Sequence, residues 1–371
     1  VQLAKSFDEC IDIAFKAGKI SQDVAEKIKE AENPEIAIDQ VLADLSRQKR
    51  EAAVQAVRLS QAWQSIESHP SGKYDGLIGL LTKDPKGKAG YFNLEYLGKF
   101  YQGKYQSRLA DALSRFRTRS IGFSQDQKGL TDMVKAIYGE AIDDPQIKQF
   151  ADEWAKVVEE IRVEFNAKGG SVSKNEKWLL PQNHDARTIT KVGRDVWKEK
   201  VKPMLDRDSM FDDFGNRLSD EDFEESLDIL YETISTGGLN KVEDFTVPRM
   251  GKKLSRKGAE KRFLYFKDSD SWLEYQKDFG KGDIFTTLTD YVDSRSNDIA
   301  MLEILGTNPK STFDALKNQV KKESGLTPGQ SRFSEMVFNV VSGKINQGEL
   351  TTVADFMQSV RNVITASTLG K

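Results

Sequence analysis

The sequence predicts an all-α protein, an irregular multi-helix array with at most one short β-hairpin. Three observations carry that expectation. Apolar residues recur at three- and four-residue steps over much of the chain. Stretches rich in Ala, Glu, Lys and Gln supply good helix formers. Only two short runs read as β-like, Asp244–Val247 and Phe263–Phe266.

Taken in order, residues 1–69 read as an N-terminal helical arm. Asn33-Pro34 separates two helices there, with Pro34 suited to a first turn, and the second helix runs to about Trp63 on a thin apolar stripe. From His69 to Gly90, Pro70, Gly72, Pro85, Gly87 and Gly90 mark a loop region around the small apolar run Leu77-Ile-Gly-Leu-Leu81. Residues 70–168 form a helical subdomain with a basic, aromatic segment. Within it Leu130, Met133, Val134 and Ile137 make one stripe. Phe150, Trp154, Val157, Val158, Ile161 and Phe165 make a longer one between Pro145 and Gly169-Gly170. Residues 169–371 form a C-terminal helical subdomain. Its stripes are Leu288, Tyr291, Val292, Ile299, Leu302 and Leu305, interrupted by Arg295 and Ser296; then Phe333, Met336, Val337 and Val340; then Val353, Phe356, Met357, Val360, Val363 and Ile364. Ser324–Gly329 separates the last helices. Val1 in place of a methionine, and a helical pattern still running at Ile364–Lys371, read as one fragment of a longer polypeptide.

The 371 residues include 55 basic and 58 acidic side chains, so a net charge of −3 gives no global attraction to nucleic acid, and only local patches would. One cysteine, Cys10, leaves no internal disulfide framework and fits a reducing compartment, or export after folding in one. No run approaches the roughly 20 apolar residues of a membrane span. Charge is unevenly placed. Lys99–Arg119 holds six bases and one acid, with Tyr96, Phe100, Tyr101 and Tyr105 at the same end. Asp206–Glu232 holds eleven acids against Arg207 and Arg217, and Arg249–Lys267 holds eight bases against Glu260. An acidic helix between basic segments is suited to pairing within the fold or between subunits.

Chemistry-bearing motifs are sparse. His184 beside Asp185 has the residue types of a general base and its orienting carboxylate. Neighbours in sequence seldom face one another, however, and the favoured reading is a structural loop that caps the next helix. Two histidines and one cysteine do not build a thiolate–imidazole zinc site of the usual spacing, and no other metal site or cofactor is expected. Gly280-Lys-Gly282 lacks the rest of any phosphate-binding pattern, so it reads as a helix stop with Asp283 capping a new helix. Lys104, Arg108, Arg115 and Arg117 are candidate contacts to a nucleic-acid backbone, with rings available for stacking; a solvated helix face is the plainer reading. Trp272, Tyr275 and Phe279 are candidate core or interface anchors, and Gly280, Gly282, Gly306 and Pro309 are candidate setters of chain geometry.

Three stretches in order carry a resemblance: Gly76–Asp84 leading to Gly90–Tyr96; Leu179–Asp185 followed by Gly193 and Trp197; and Arg262–Asp268 through Gly306–Pro309, trailed by Ala366–Gly370. Over roughly residues 70–371 the chain resembles the central region of the large internal virion proteins of tailed bacteriophages, the ejection or DNA-injection proteins. The resemblance implies a non-enzymatic structural component. Such a protein is packaged in the virion and expelled into the host envelope or periplasm, where it helps form a conduit for the genome. It also implies partners among other virion proteins or copies of the chain itself, weak contact with DNA backbone, and contact with the envelope after ejection. Two other functions compete: a cell-wall hydrolase module using His184 or a carboxylate, and a helical adaptor or anti-defence protein that binds a host factor.

Overall fold

The computed structural model describes residues 7–18, 20–30, 34–83, 92–118, 127–172, 174, 180–210, 217–236 and 264–343. Among these the fold is all-α, with fourteen α-helices and no sheet. The helices are α1 (Phe7–Lys16), α2 (Gln22–Glu30), α3 (Pro34–Glu67), α4 (Lys73–Leu81), α5 (Leu94–Thr118), α6 (Gln127–Ile137), α7 (Pro145–Ala167), α8 (Ala186–Val192), α9 (Arg194–Val201), α10 (Asp220–Ser235), α11 (Ser269–Phe279), α12 (Ile284–Leu305), α13 (Pro309–Ser324) and α14 (Pro328–Val341). Of the two β-like runs, Phe263–Phe266 contributes one antiparallel bridge, Phe266 with Leu205. Asp244–Val247 and the last stripe, Val353–Ile364, lie outside the described residues.

The chain divides into two compact units built from separated stretches. One comprises Val1–Arg50, His184–Phe245 and Arg262–Phe279; the other comprises Glu51–Asn183, Thr246–Lys261 and Gly280–Lys371. The unit boundaries among described residues fall after Arg50, Asn183 and Phe279.

In the first unit, Ile11 of α1 packs with Ala25 and Ile28 of α2, and Val41 of α3 covers them. Helices α8 to α11 form a second group. Asp185 starts α8, its carboxylate accepting the N–H groups of Arg187 and Thr188 at 3.0 and 3.3 Å, which realises the capping reading. The acidic helix α10 lies against basic α9. Lys198 pairs with Glu224 and Asp228 at 2.8 Å each, Arg194 pairs with Glu232 at 2.8 Å, and Lys202 pairs with Glu224. Sequence patterning points to such pairing; the partner is the short preceding helix.

In the second unit α5, α7 and α12 pack against one another, and α6 lies on α7. Of the predicted α7 stripe, Phe150, Trp154, Val157, Ile161 and Phe165 are all 2% exposed or less, and Val158 is partly buried. Trp154 reaches Tyr291 of α12 with ring centroids 5.9 Å apart. Close approach of α5 to α12 is set at Gly98, where a Cβ would lie 2.6 Å from Asn297 Oδ1. The interruption of the α12 stripe is satisfied locally: Ser296 Oγ donates to Val292 O at 2.7 Å, and Arg295 pairs with Asp298 at 3.3 Å.

Leu77–Leu81, expected within a loop, is the end of helix α4, and Gly76–Leu81 is buried throughout. Contacts with α5, α13 and α14 enclose it, so the run carries no polar face and no helical period for sequence reading to find. Nearby, Phe313 of α13 and Phe338 of α14 stack with centroids 4.4 Å apart. The last described helix buries Ser334, Val337 and Phe338, so of the predicted stripe Phe333, Met336, Val337 and Val340 only Val337 is fully buried.

Candidate interaction surface

Apart from Arg115 and Arg117, the structure gives the sequence-predicted residues definite environments. Trp272, Tyr275 and Phe279 are each 1% exposed and belong to the core of the first unit. Tyr275 stands 5.1 Å from Phe266 and 5.4 Å from Phe279, centroid to centroid. Its hydroxyl is 2.8 Å from His184 Nδ1. Burial among these rings drives the His184 imidazole down to about 4, so the ring is neutral, and burial pushes the Tyr275 phenol upward. The carboxylate of Asp185 is engaged in the α8 cap by Thr188 Oγ1 at 2.8 Å. The pair is therefore a packed imidazole next to a capping carboxylate.

Gly280 follows α11, and Gly282, at φ 78°, leads into Asp283, whose carboxylate accepts Thr286 N–H at 2.6 Å to start α12. The other end of α12 is a corner. Gly306 closes the helix at φ 79°, Asn308 caps α13, and Pro309 is its first residue. Gln55 of α3 holds this corner. Its Oε1 accepts Asn308 N–H at 2.8 Å and Thr307 Oγ1–H at 3.1 Å, and its amide nitrogen donates to Thr312 Oγ1. A Cβ on Gly306 would lie 2.9 Å from that same Oε1. Gln55 carries no signal in the sequence, since its partners are about 250 residues away.

The candidate nucleic-acid residues on α5 divide in two. Lys104 pairs with Glu164 of α7 at 3.0 Å and lies 5.1 Å above the Tyr105 ring. Arg108 pairs with Glu153 at 3.0 Å and also with Glu160. Burial works against the Glu164 charge, but Lys104 and Lys168 outweigh it and hold the carboxyl below its usual range. Both cations are thus engaged by α7. The side chains of Arg115 and Arg117 lie outside the described residues.

What α5 presents outward is aromatic. Phe92, just before the helix, and Tyr96 and Phe100 within it are 64%, 48% and 52% exposed. Tyr96 and Phe100, one turn apart, lie on one line of the helix. Gly103, three residues after Phe100, is exposed, and a Cβ there would meet nothing within 4 Å. Tyr101 and Tyr105, offset from that line, are buried at 4% and 0%; Tyr101 donates to Glu303 Oε2 at 2.6 Å. The signal for this surface, aromatics four apart on a helix, stands in the sequence. Only the structure separates the outer rings from the inner ones.

Among the described residues no three His, Cys, Asp or Glu side chains cluster to hold a metal ion, and no helix is long and apolar enough to cross a membrane. No protein family, curated protein or solved structure matches this chain.

Proposed function

We propose that this chain is a structural component of a phage virion ejection apparatus, which assembles through its helices to help genome delivery across the host envelope. The observation that carries the reading is the aromatic face of α5. Phe92 just before α5, and Tyr96 and Phe100 within it, are half exposed or nearly so, while Leu97, Tyr101, Tyr105 and Leu109 of the same helix are buried, an arrangement that fits a protein working by assembly. Two further features support it. The fold is built from helices, whose hydrogen bonds close within a few residues, and such chains re-form rapidly after unfolding. A single cysteine leaves no intrachain disulfide to block threading through a narrow portal. The resemblance over residues 70–371 supplies the virion setting, with other virion proteins or copies of the chain as partners, weak DNA backbone contact, and envelope contact after ejection.

The test is location. Quantitative mass spectrometry of purified particles is expected to find this polypeptide in full virions and to find it depleted from particles that have released their genome. Its absence from full virions would remove the proposal.

A further inference from the structure

We infer that His184, Tyr275 and Trp197 form an acid-operated latch within the first unit: the neutral imidazole holds the C-terminal half of α11 to the start of α8, and its protonation lets that half go. The two ends of α11 are held differently. Its N-terminal end follows the Leu205–Phe266 bridge, where Asp206 N–H donates to Tyr265 O at 2.7 Å and Lys267 N–H donates to Met204 O at 3.1 Å. Its C-terminal end meets α8 through Asp185 N–H, which donates to Phe279 O at 2.8 Å, and through the Tyr275 hydroxyl, 2.8 Å from His184 Nδ1. His184 immediately precedes Asp185, and Tyr275 lies one turn before Phe279, so the two contacts act on one point.

The side-chain contact has a direction. Among the described residues the Trp197 indole nitrogen, buried with its whole ring, has no acceptor at hydrogen-bond distance. The group it acts on is the Tyr275 oxygen, where it favours negative charge, although burial outweighs it. An indole N–H only donates. It therefore claims the phenol oxygen as acceptor and leaves the phenol O–H to donate to His184 Nδ1. The neutral ring is thus the tautomer with its proton on Nε2. Protonation puts an N–H on Nδ1 as well. Two donors then face one phenol oxygen, the phenol hydrogen loses its acceptor, and a cation is left in a packed site.

The charged groups of the surrounding elements do not rescue that cation. On α8, Asp185 is taken up by its own cap, and Arg187 and Lys191 are exposed. On α11, Asp270, Glu274 and Lys277 are exposed, and Asp278 pairs with Lys200 of α9 at 2.8 Å. Ahead of α11, Asp268 accepts Ser271 N–H at 2.7 Å, and Lys267 is exposed. Lys202, in the 3-10 turn against α11, pairs with Glu224. Burial alone moves the ionisation of the His184 ring, and it moves it down. A ring freed from the core takes up a proton near 6.5, so acid favours the released form. The N-terminal anchor stays in place, and the opening is local rather than global.

Amide hydrogen exchange on the 371-residue chain, corrected for the intrinsic effect of pH and read peptide by peptide, tests this. Opening of the Tyr275–Phe279 segment is expected to rise about tenfold per pH unit between about pH 6 and about pH 4.5, the signature of one proton taken up on release. His184→Asn keeps an acceptor towards the phenol and cannot take up the proton, so its opening is expected to stay flat over the same range. An NMR titration of Tyr275→Phe supplies a second reading. Without the phenol the neutral ring loses its donor and the charged ring loses its clash, so the His184 midpoint is expected to move up by about half a unit or more. Equal acid sensitivity in wild type and His184→Asn overturns the inference, as does a midpoint unmoved in Tyr275→Phe. A rise of the same size in α10 also overturns it, because the whole unit would then be unfolding. None of these readings depends on whether the protein is found in virions, so the two proposals fail separately.

Discussion

Gln55 Oε1 accepts the backbone N–H of Asn308 at 2.8 Å, joining the middle of α3 to the residue that caps α13. The same oxygen takes Thr307 Oγ1–H at 3.1 Å, a hydroxyl that also lies 3.2 Å from Glu51 O. Gln55→Leu keeps the size and removes the polar contacts of this side chain, stranding the partly buried Asn308 N–H while Thr307 Oγ1–H keeps Glu51 O. We expect a loss of about 1–3 kcal/mol, mostly the desolvation cost of the group left unpaired. Urea unfolding followed by circular dichroism measures it. A cost within experimental error of zero would show that water replaces the amide at this corner.

His184 makes the stability of its unit depend on acid. The ring is neutral when folded, with its ionisation depressed to about 4 by burial, whereas an unfolded chain protonates near 6.5. As pH falls the unfolded state takes up the proton first. The stabilisation is complete above about pH 6.5, declines below it, and is gone near pH 4, a total of about 3 kcal/mol. Carboxylates titrate over part of the same window, so the quantity to measure is the difference from His184→Asn. That variant is expected to show a flatter stability profile between pH 6.5 and 4.5. An NMR titration placing the His184 midpoint near 6.5 would contradict the buried, neutral ring.

The contrast between α7 and α4 shows what the sequence could and could not convey. Helix α7 meets water on one side, so its period, its Pro145 start and its Gly169-Gly170 stop are all legible. Helix α4 is enclosed by three neighbours, and enclosure erases the period. Caps were legible where one residue does the work, as at Asp185 and Asp283. On α5 aromatic residues occupy both sides of the helix, and propensity does not say that Tyr101 faces Glu303 while Phe100 faces water. Gln55 was illegible for a different reason: its contacts are set by tertiary docking between stretches far apart in the chain.

The ion pairs between α9 and α10 are asymmetric in burial, and that asymmetry sets which change hurts. The Lys198 side chain is 11% exposed, while those of Glu224 and Asp228 are 43% and 37% exposed. Burial disfavours the Lys198 charge, but the two carboxylates outweigh it and raise its ionisation. Lys198→Met retains the packed stem and leaves two carboxylates that water can solvate, so a cost of about 1 kcal/mol or less is expected. Replacing both Glu224 and Asp228 by Ala leaves a largely covered ammonium without a carboxylate, and about 2 kcal/mol is expected. Chemical denaturation of the three proteins decides the order; a larger loss for Lys198→Met would refute it.

Lys104 and Arg108 are engaged by Glu164, Glu153 and Glu160, so any DNA backbone contact they make must displace a carboxylate of their own chain. Pairing with a phosphate breaks an ion pair within the chain, and the two effects largely cancel. The affinity contributed by these two cations is therefore small. Lys104→Ala is expected to change duplex binding less than twofold. Removing the competitors, with Glu153→Gln, Glu160→Gln and Glu164→Gln together, releases both cations towards phosphate. The triple variant is expected to strengthen binding several-fold and to steepen its dependence on salt by about one phosphate per cation released. Fluorescence anisotropy on a short duplex between about 50 and 200 mM salt measures both quantities. If Lys104→Ala alone abolished binding, the pairing with α7 would not govern this face, and Lys104 would be a contact in its own right.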